Sequence, residues 1–148
     1  MNRAKSEAEE LLNVVLPFAE ELLARHGEFF PFGAAMNHLG GISHQAAYSG
    51  TEQPPSSELI DLLRSAFRSA GRSGECRATA LAYDVRTQLP GSETKSDAVA
   101  VELDHIDSYS VVTYFPYVLT NGAVEFGSAF ARAGENNVFD SRHGHSDA

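Results

Sequence analysis

Apolar residues near the start of the chain recur every three or four positions. Leu11, Val15, Phe18 and Leu22 form one row, and Leu12, Ala19 and Leu23 form the next. That period puts both rows on one broad side of a helix over residues 6–26. Ser6 and Glu9 have the spacing of a capping box at its start. Gly27 has the conformational freedom of a helix stop. Pro17 lacks an N–H, so it predicts a kink or two short helices meeting there.

The period then shortens. Residues 28–37 and 42–49 read as a hairpin, with Gly40 and Gly41 supplying the turn. Alternation places Phe30, Phe32 and Ala34 on one face, with Phe30 and Phe32 in the core, and Phe29 on the other face. Pro31 belongs at a strand start or on an edge. Residues 51–55 are a linker stopped by Pro54 and Pro55. Ser56 or Ser57 caps a second helix with a stripe of Leu59, Ile60, Leu63, Ala66, Phe67 and Ala70, ending at Gly71.

Strand patterns fill the second half. Over residues 75–87, Leu81, Tyr83 and Val85 alternate with Cys76, Ala78, Ala80 and Ala82. Over residues 98–105, Val99, Val101, Leu103 and His105 alternate with Ala98, Ala100, Glu102 and Asp104. Residues 109–119 are rich in β-branched and aromatic side chains, Asn121-Gly122 signals a hairpin, and residues 124–131 close the set. The order α-β-β-α-β-β-β-β predicts an α+β fold. Two helices are expected on one face of a mainly antiparallel sheet of about six strands. The alanine-rich face is expected to be solvated or to meet a second subunit. Residues 1–133 form a single α+β domain on this reading, and residues 134–148 form a polar, flexible C-terminal tail.

Composition narrows the function classes. With 20 acidic against 11 basic residues and a net charge of −9, the chain lacks the basic footprint of a nucleic-acid or anionic-membrane binder. Cys76 is the sole cysteine, which excludes an intrachain disulfide and suits a reducing, cytoplasmic location. Glu7, Glu9 and Glu10 fall where the apolar core of a leader would begin, so no targeting segment is read.

Several side chains carry candidate chemistry. His38 and His44 flank the hairpin turn as metal ligands or acid–base groups. No acidic or cysteine partner lies at ligand spacing, so exposed turn histidines are the favoured reading. Asp104, His105 and Asp107 end a strand, with Glu102 on the face of Asp104. Two carboxylates at that spacing suit a hard cation or an acid–base pair, but water-facing strand ends look the same. His143 and His145 lie in the expected tail, which lacks the fixed geometry a site needs. Cys76 reads as a buried, inert thiol. Arg64, Arg68 and Arg72 read as a solvated stripe on the second helix. The tyrosines suit a pocket better than the phenylalanines, since each needs a partner when buried. No GxGxxG, Walker A, GxSxG, HExxH or CxxC pattern is present, so no cofactor, metal or catalytic residue is assigned.

The segment LPFAEELLARHGEFFPFGAAM, followed by the GG turn, resembles small uncharacterised bacterial proteins that share a PFAE…L…HGEF.PFG segment. The likeness runs from Leu16 to about residue 50 and then follows the helix-and-strand pattern to Tyr117. It implies no activity and transfers no site residues. The element order is also similar to roadblock and profilin-like folds, and that resemblance implies a tendency to dimerise. The leading expectation is a non-enzymatic protein-interaction module that forms a homodimer or holds another protein partner. An acidic immunity or inhibitor protein for a basic toxin is one alternative. A ligand binder or enzyme using the tyrosines and the Asp104–His105–Asp107 end is another.

Overall fold

The first helix starts earlier than the capping-box spacing suggests. The structure, a computed structural model, describes residues 2–47, 50 and 54–139. In α1 (Arg3–His26) the N-cap is Asn2, whose side-chain oxygen accepts the Lys5 N–H at 3.0 Å. Ser6 is therefore inside the helix. Gly27 adopts φ 76° and donates its N–H to the Leu23 carbonyl, the stop expected of it. Pro17 does not divide the helix. It removes the donor for the Asn13 carbonyl, but both residues are exposed and water can serve that oxygen.

The strands are β1 (Phe32–Met36), β2 (Ile42–Ala46), β3 (Ala78–Gln88), β4 (Lys95–His105), β5 (Tyr109–Thr120), β6 (Ala123–Phe126) and β7 (Phe130–Ala133). Between β2 and β3 runs α2 (Ser56–Ser73). The described strands form one seven-stranded antiparallel sheet in the order β2-β1-β3-β4-β5-β6, with β7 also on β5. The α+β fold with two helices on a mainly antiparallel sheet is thus present.

The helices lie on opposite faces, not on one. Directly opposed residues in an antiparallel ladder share a face. Ala34, Ala80 and Leu103 are one such row, and Phe32, Ala82 and Val101 are the next. This face packs against Ala8, Leu11, Val15, Ala19 and Leu23 of α1. The intervening residues, Ala35, Leu81 and Tyr83 among them, point the other way and meet Leu63 and Phe67 of α2. The physical reason is that β3 and β4 are buried on both sides: all of residues 78–82 and 98–105 are buried. One layer of helices cannot cover two faces. The alanine-rich face is consequently neither solvated nor free, because its short side chains form the floor on which α1 lies.

The phenylalanine segment also departs from simple alternation. Phe29 and Phe32 are buried at 8% and 6% exposure, but Phe30 is 53% exposed. The strand begins after Pro31, which cannot donate to a ladder, so the two-residue period does not reach back to Phe30. Phe29 instead folds its ring edge-on to Phe32, with centroids 5.7 Å apart. In the turn, Asn37 Oδ1 accepts the N–H groups of Leu39 and Gly41 at 2.8 and 2.9 Å. Gly40 takes φ 92°, where a side chain would be strained.

Toward the C-terminus three further expectations change. Pro55, not a serine, occupies the N-cap of α2, and the helix runs past Gly71 to a stop at Gly74. Residues 124–131 are not one strand: β6 and β7 share the outer edge of β5 in succession. They separate at Pro116, which has no N–H for that edge and accepts only the Gly127 N–H. Finally, residues 134–139 do not form a loose tail. Val138 and Phe139 are buried against Leu63, Phe67, Cys76 and Leu81. Residues 140–148, with His143 and His145, lie outside the described residues, as does Tyr48.

Phe32→Ala should cost about 3–5 kcal/mol in urea denaturation. Phe30→Ala should stay within about 0.5 kcal/mol of the parent chain. Equal losses at both positions would return the strand start to Phe30.

Candidate functional site

A carboxylate is buried in each helix–sheet interface. In the α1 interface it is Glu7, carried by the helix itself and 8% exposed. Arg77, at the entrance to β3, grips it with two guanidinium nitrogens, Nε reaching Oε1 at 3.0 Å. Arg77 also donates to the His38 carbonyl. His105, at the end of β4, places Nε2 2.7 Å from the same Glu7 oxygen. Its Nδ1 accepts the Asp107 N–H at 3.0 Å, so the neutral ring carries its proton on Nε2 and donates it to Glu7. The Arg77 hydrogen bond holds the Glu7 carboxyl below its ordinary value against the opposing pull of burial, and His105 adds to the lowering. A carboxylate–imidazole pair is also the orienting half of a catalytic triad. Here the second ring nitrogen is already taken by the backbone and the ring is fully buried, so it has no free nitrogen to offer a substrate.

On the opposite face Glu102, 5% exposed, lies beneath α2. Arg64 meets it with Nε at 3.1 Å and closes a second contact through Nη2. The Tyr83 hydroxyl donates to it at 2.8 Å. Burial, reinforced by the Glu102 charge, pushes the Tyr83 hydroxyl up. Two residues on, Asp104 accepts a hydrogen bond from Ser110 Oγ at 2.8 Å. Burial raises its carboxyl to about 6, the Ser110 bond opposes the rise, and Glu102 adds to it. Cys76 is driven up to about 11, chiefly by burial with a lesser push from Glu75, which keeps it a protonated thiol near neutral pH.

The residues singled out in the sequence do not converge. Asp104 and His105 point to opposite faces of β4, as neighbours on a strand must. Asp107 sits in the following turn and pairs with Arg3 at 2.8 Å. His38 is exposed in the hairpin turn, and His44 lies on β2 with its ring 5.5 Å from Phe18. Among the described residues no group of three or more histidine, cysteine or acidic side chains could hold a metal ion. Among the described residues, the Asp104–His105–Asp107 end is therefore divided between two faces of the sheet and a turn. Glu102 and Asp104 do share a face as expected, but Arg64 fills the position a cation would take. Arg64 is accordingly not part of a solvated stripe, whereas Arg68 stays exposed as expected, its Nε donating to the Asn137 carbonyl at 2.6 Å.

Glu7 and Arg77 were not singled out from the sequence. The signal for Glu7 was its place in the buried row of α1, one turn before Leu11. A carboxylate at that helical position requires a cation across the interface.

A different feature stands open. At the end of the hairpin a cleft of about 690 Å3 is lined by Phe18, Leu22, Phe29, Phe30 and Phe32, with His26, Glu28 and Ala46 also contributing. Beside it runs β2, which among the described strands pairs only with β1. The Asn37 N–H bonds the Gly41 carbonyl, and the Arg77 N–H takes the Met36 carbonyl toward β3. By alternation from that register, the N–H groups of Ile42, His44 and Ala46 face away from β1. The edge sequence Ile-Ser-His-Gln-Ala carries neither lysine, acid nor proline.

No family model matches the chain, and no curated protein or solved structure is significantly similar to it. No described helix is long and apolar enough to cross a membrane.

The raised Asp104 pKa makes a signed prediction. The native state holds this proton more tightly than the unfolded chain does. Its stabilising contribution is therefore full below the unfolded value of 3.8 and is lost as pH rises through about 6. A shift of about two units corresponds to about 2–3 kcal/mol. Glu7 runs the opposite way, losing its contribution as pH falls below 4.5 through its lowered value. In urea denaturation from pH 4 to 7, Asp104→Asn should abolish the decline on the neutral side. An unchanged slope would show that Asp104 is hydrated in the native state.

Proposed function

We propose that the protein is a non-enzymatic interaction module that forms a homodimer through β2. The observation that carries the reading is the outer edge of that strand. Natural sheets blunt such edges with charges, prolines or a covering element. This one offers three outward N–H groups and the carbonyls between them, with no charged side chain along its length. Neutrality matters for self-pairing in a chain of net charge −9, because a charged edge would meet its own sign across a two-fold axis. Two copies of β2 run antiparallel about an axis at His44 extend the sheet across both subunits. The exposed faces of Phe18 and Phe30, 38% and 53% accessible, lie along the cleft at the strand end and supply apolar area for the contact.

The separated chemistry supports the same reading from the other side. Glu7, Arg77, His105, Arg64 and Glu102 are engaged in holding helices to the sheet. Their hydrogen-bonding capacity is used within the fold.

Sedimentation equilibrium should show a monomer–dimer equilibrium. His44→Pro should leave the circular dichroism unchanged and shift the equilibrium to monomer, because it removes an N–H that faces away from β1. A parent chain that stays monomeric at every attainable concentration, or a proline variant that dimerises as well as the parent, overturns the assignment.

A further inference from the structure

Residues 134–139 lie along α2 and the sheet in a manner that differs from the rest of the fold. They follow the short strand β7 and are not part of any described strand themselves. Three of their backbone groups bond to groups elsewhere in the fold. The Ser110 carbonyl takes the Gly134 N–H at 2.9 Å. Ser110 Oγ accepts the Asn136 N–H at 3.0 Å, and Arg68 Nε donates to the Asn137 carbonyl at 2.6 Å. A side-chain contact is added where Asn137 Nδ2 reaches Glu102 at 3.5 Å. Val138 and Phe139 then fill an apolar socket with Leu63, Phe67, Cys76 and Leu81.

The socket is shaped for its aromatic occupant. Gly71 lies inside α2, where glycine weakens a helix. A Cβ there would come within 2.9 Å of the Phe139 ring. The helix therefore leaves a notch that the ring fills. The socket walls come from α2, through Leu63 and Phe67, and from Cys76, just before β3, and Leu81 within it. The lead-in, β7, is four residues long and largely exposed, which is the pattern of a unit that opens locally.

We propose that the groove between α2 and the sheet is a peptide-recognition site, and that residues 134–139 are its exchangeable internal occupant. The partner it fits is an extended segment of another protein presenting an asparagine followed by an aliphatic and an aromatic side chain. Backbone hydrogen bonds to Ser110 and Arg68 would hold the segment, and the Gly71 notch would select the aromatic ring. The internal copy lowers the affinity for any partner by keeping the groove filled.

Cys76 lies in the buried cluster with Val138 and Phe139, and as the sole cysteine it reports on the seat. The test is alkylation of the full chain by iodoacetamide at constant pH, with a six-residue peptide of the sequence Gly-Glu-Asn-Asn-Val-Phe as the probe. Phe139→Ala should raise the Cys76 labelling rate at least about tenfold, with a rate insensitive to low urea, the mark of local opening. The peptide should restore protection to that variant, and the same peptide ending in alanine should not. Gly71→Ala, which closes the notch and favours the helix, should open the seat and resist rescue. If Phe139→Ala labels no faster, the segment does not cover the groove. If labelling is faster but no peptide slows it, or if it rises with urea as global unfolding does, the segment is ordinary core. A dimer that persists in His44→Pro and depends on Phe139 would reassign the groove to exchange between copies of this chain.

Discussion

Everything in this fold depends on the burial of β3 and β4 from both sides. A strand that is wet on one face needs one covering layer, and a strand that is dry on both needs two. Residues 78–82 and 98–105 are buried throughout, so α1 and α2 are forced to opposite faces. The two coverings are unequal. On the α1 side Ala34, Ala78, Ala80 and Ala82 form a low floor, and a long helix closes on it with Leu11, Val15 and Leu23. On the α2 side the helix contributes Leu63 and Phe67, and residues 138–139 complete the layer. The shorter helix alone leaves part of that face to be covered.

The same double burial explains where the charges go. A carboxylate taken out of water requires a cation and filled lone pairs. Glu7 receives Arg77 and His105, and Glu102 receives Arg64, Tyr83 and Asn137. Each arrangement joins a helix to the sheet across its packing interface, so each fixes the register of a layer that apolar contacts alone would leave free to slide. Asp104 is the less well served. Its described partner is the Ser110 hydroxyl, and burial raises its pKa to about 6.

Element types and order were legible because helical and strand periods are local properties of the chain. The alternation within β3 and β4 was read correctly, but Cys76, expected on the face of Ala78, precedes β3 and packs with Leu81 on the α2 side. What local pattern could not convey was that both of those faces are interior. Small alanines fit a solvated face, a subunit contact or a tightly packed floor, and only the partner helix decides among them. The exposed Phe30 follows from Pro31 delaying the strand. The seated residues 138–139 were obscured by the polar stretch before them. Of the candidate groups, Asp104, His105 and Asp107 were adjacent in sequence, but a strand sends adjacent side chains to opposite sides. The residues that in fact meet, Glu7 with Arg77 and His105, are far apart in the chain, and pairing at that distance is invisible to spacing.

With the buried charges engaged in holding layers together, the proposed homodimer rests on the neutral edge of β2 and the phenylalanine cleft at its end. The most direct measurement is amide hydrogen exchange at Ile42, His44 and Ala46 as a function of protein concentration. These are the N–H groups that face away from β1. Pairing between copies predicts that their protection rises with concentration. Free exchange of all three at every concentration, with the β1 amides still protected, would contradict the account.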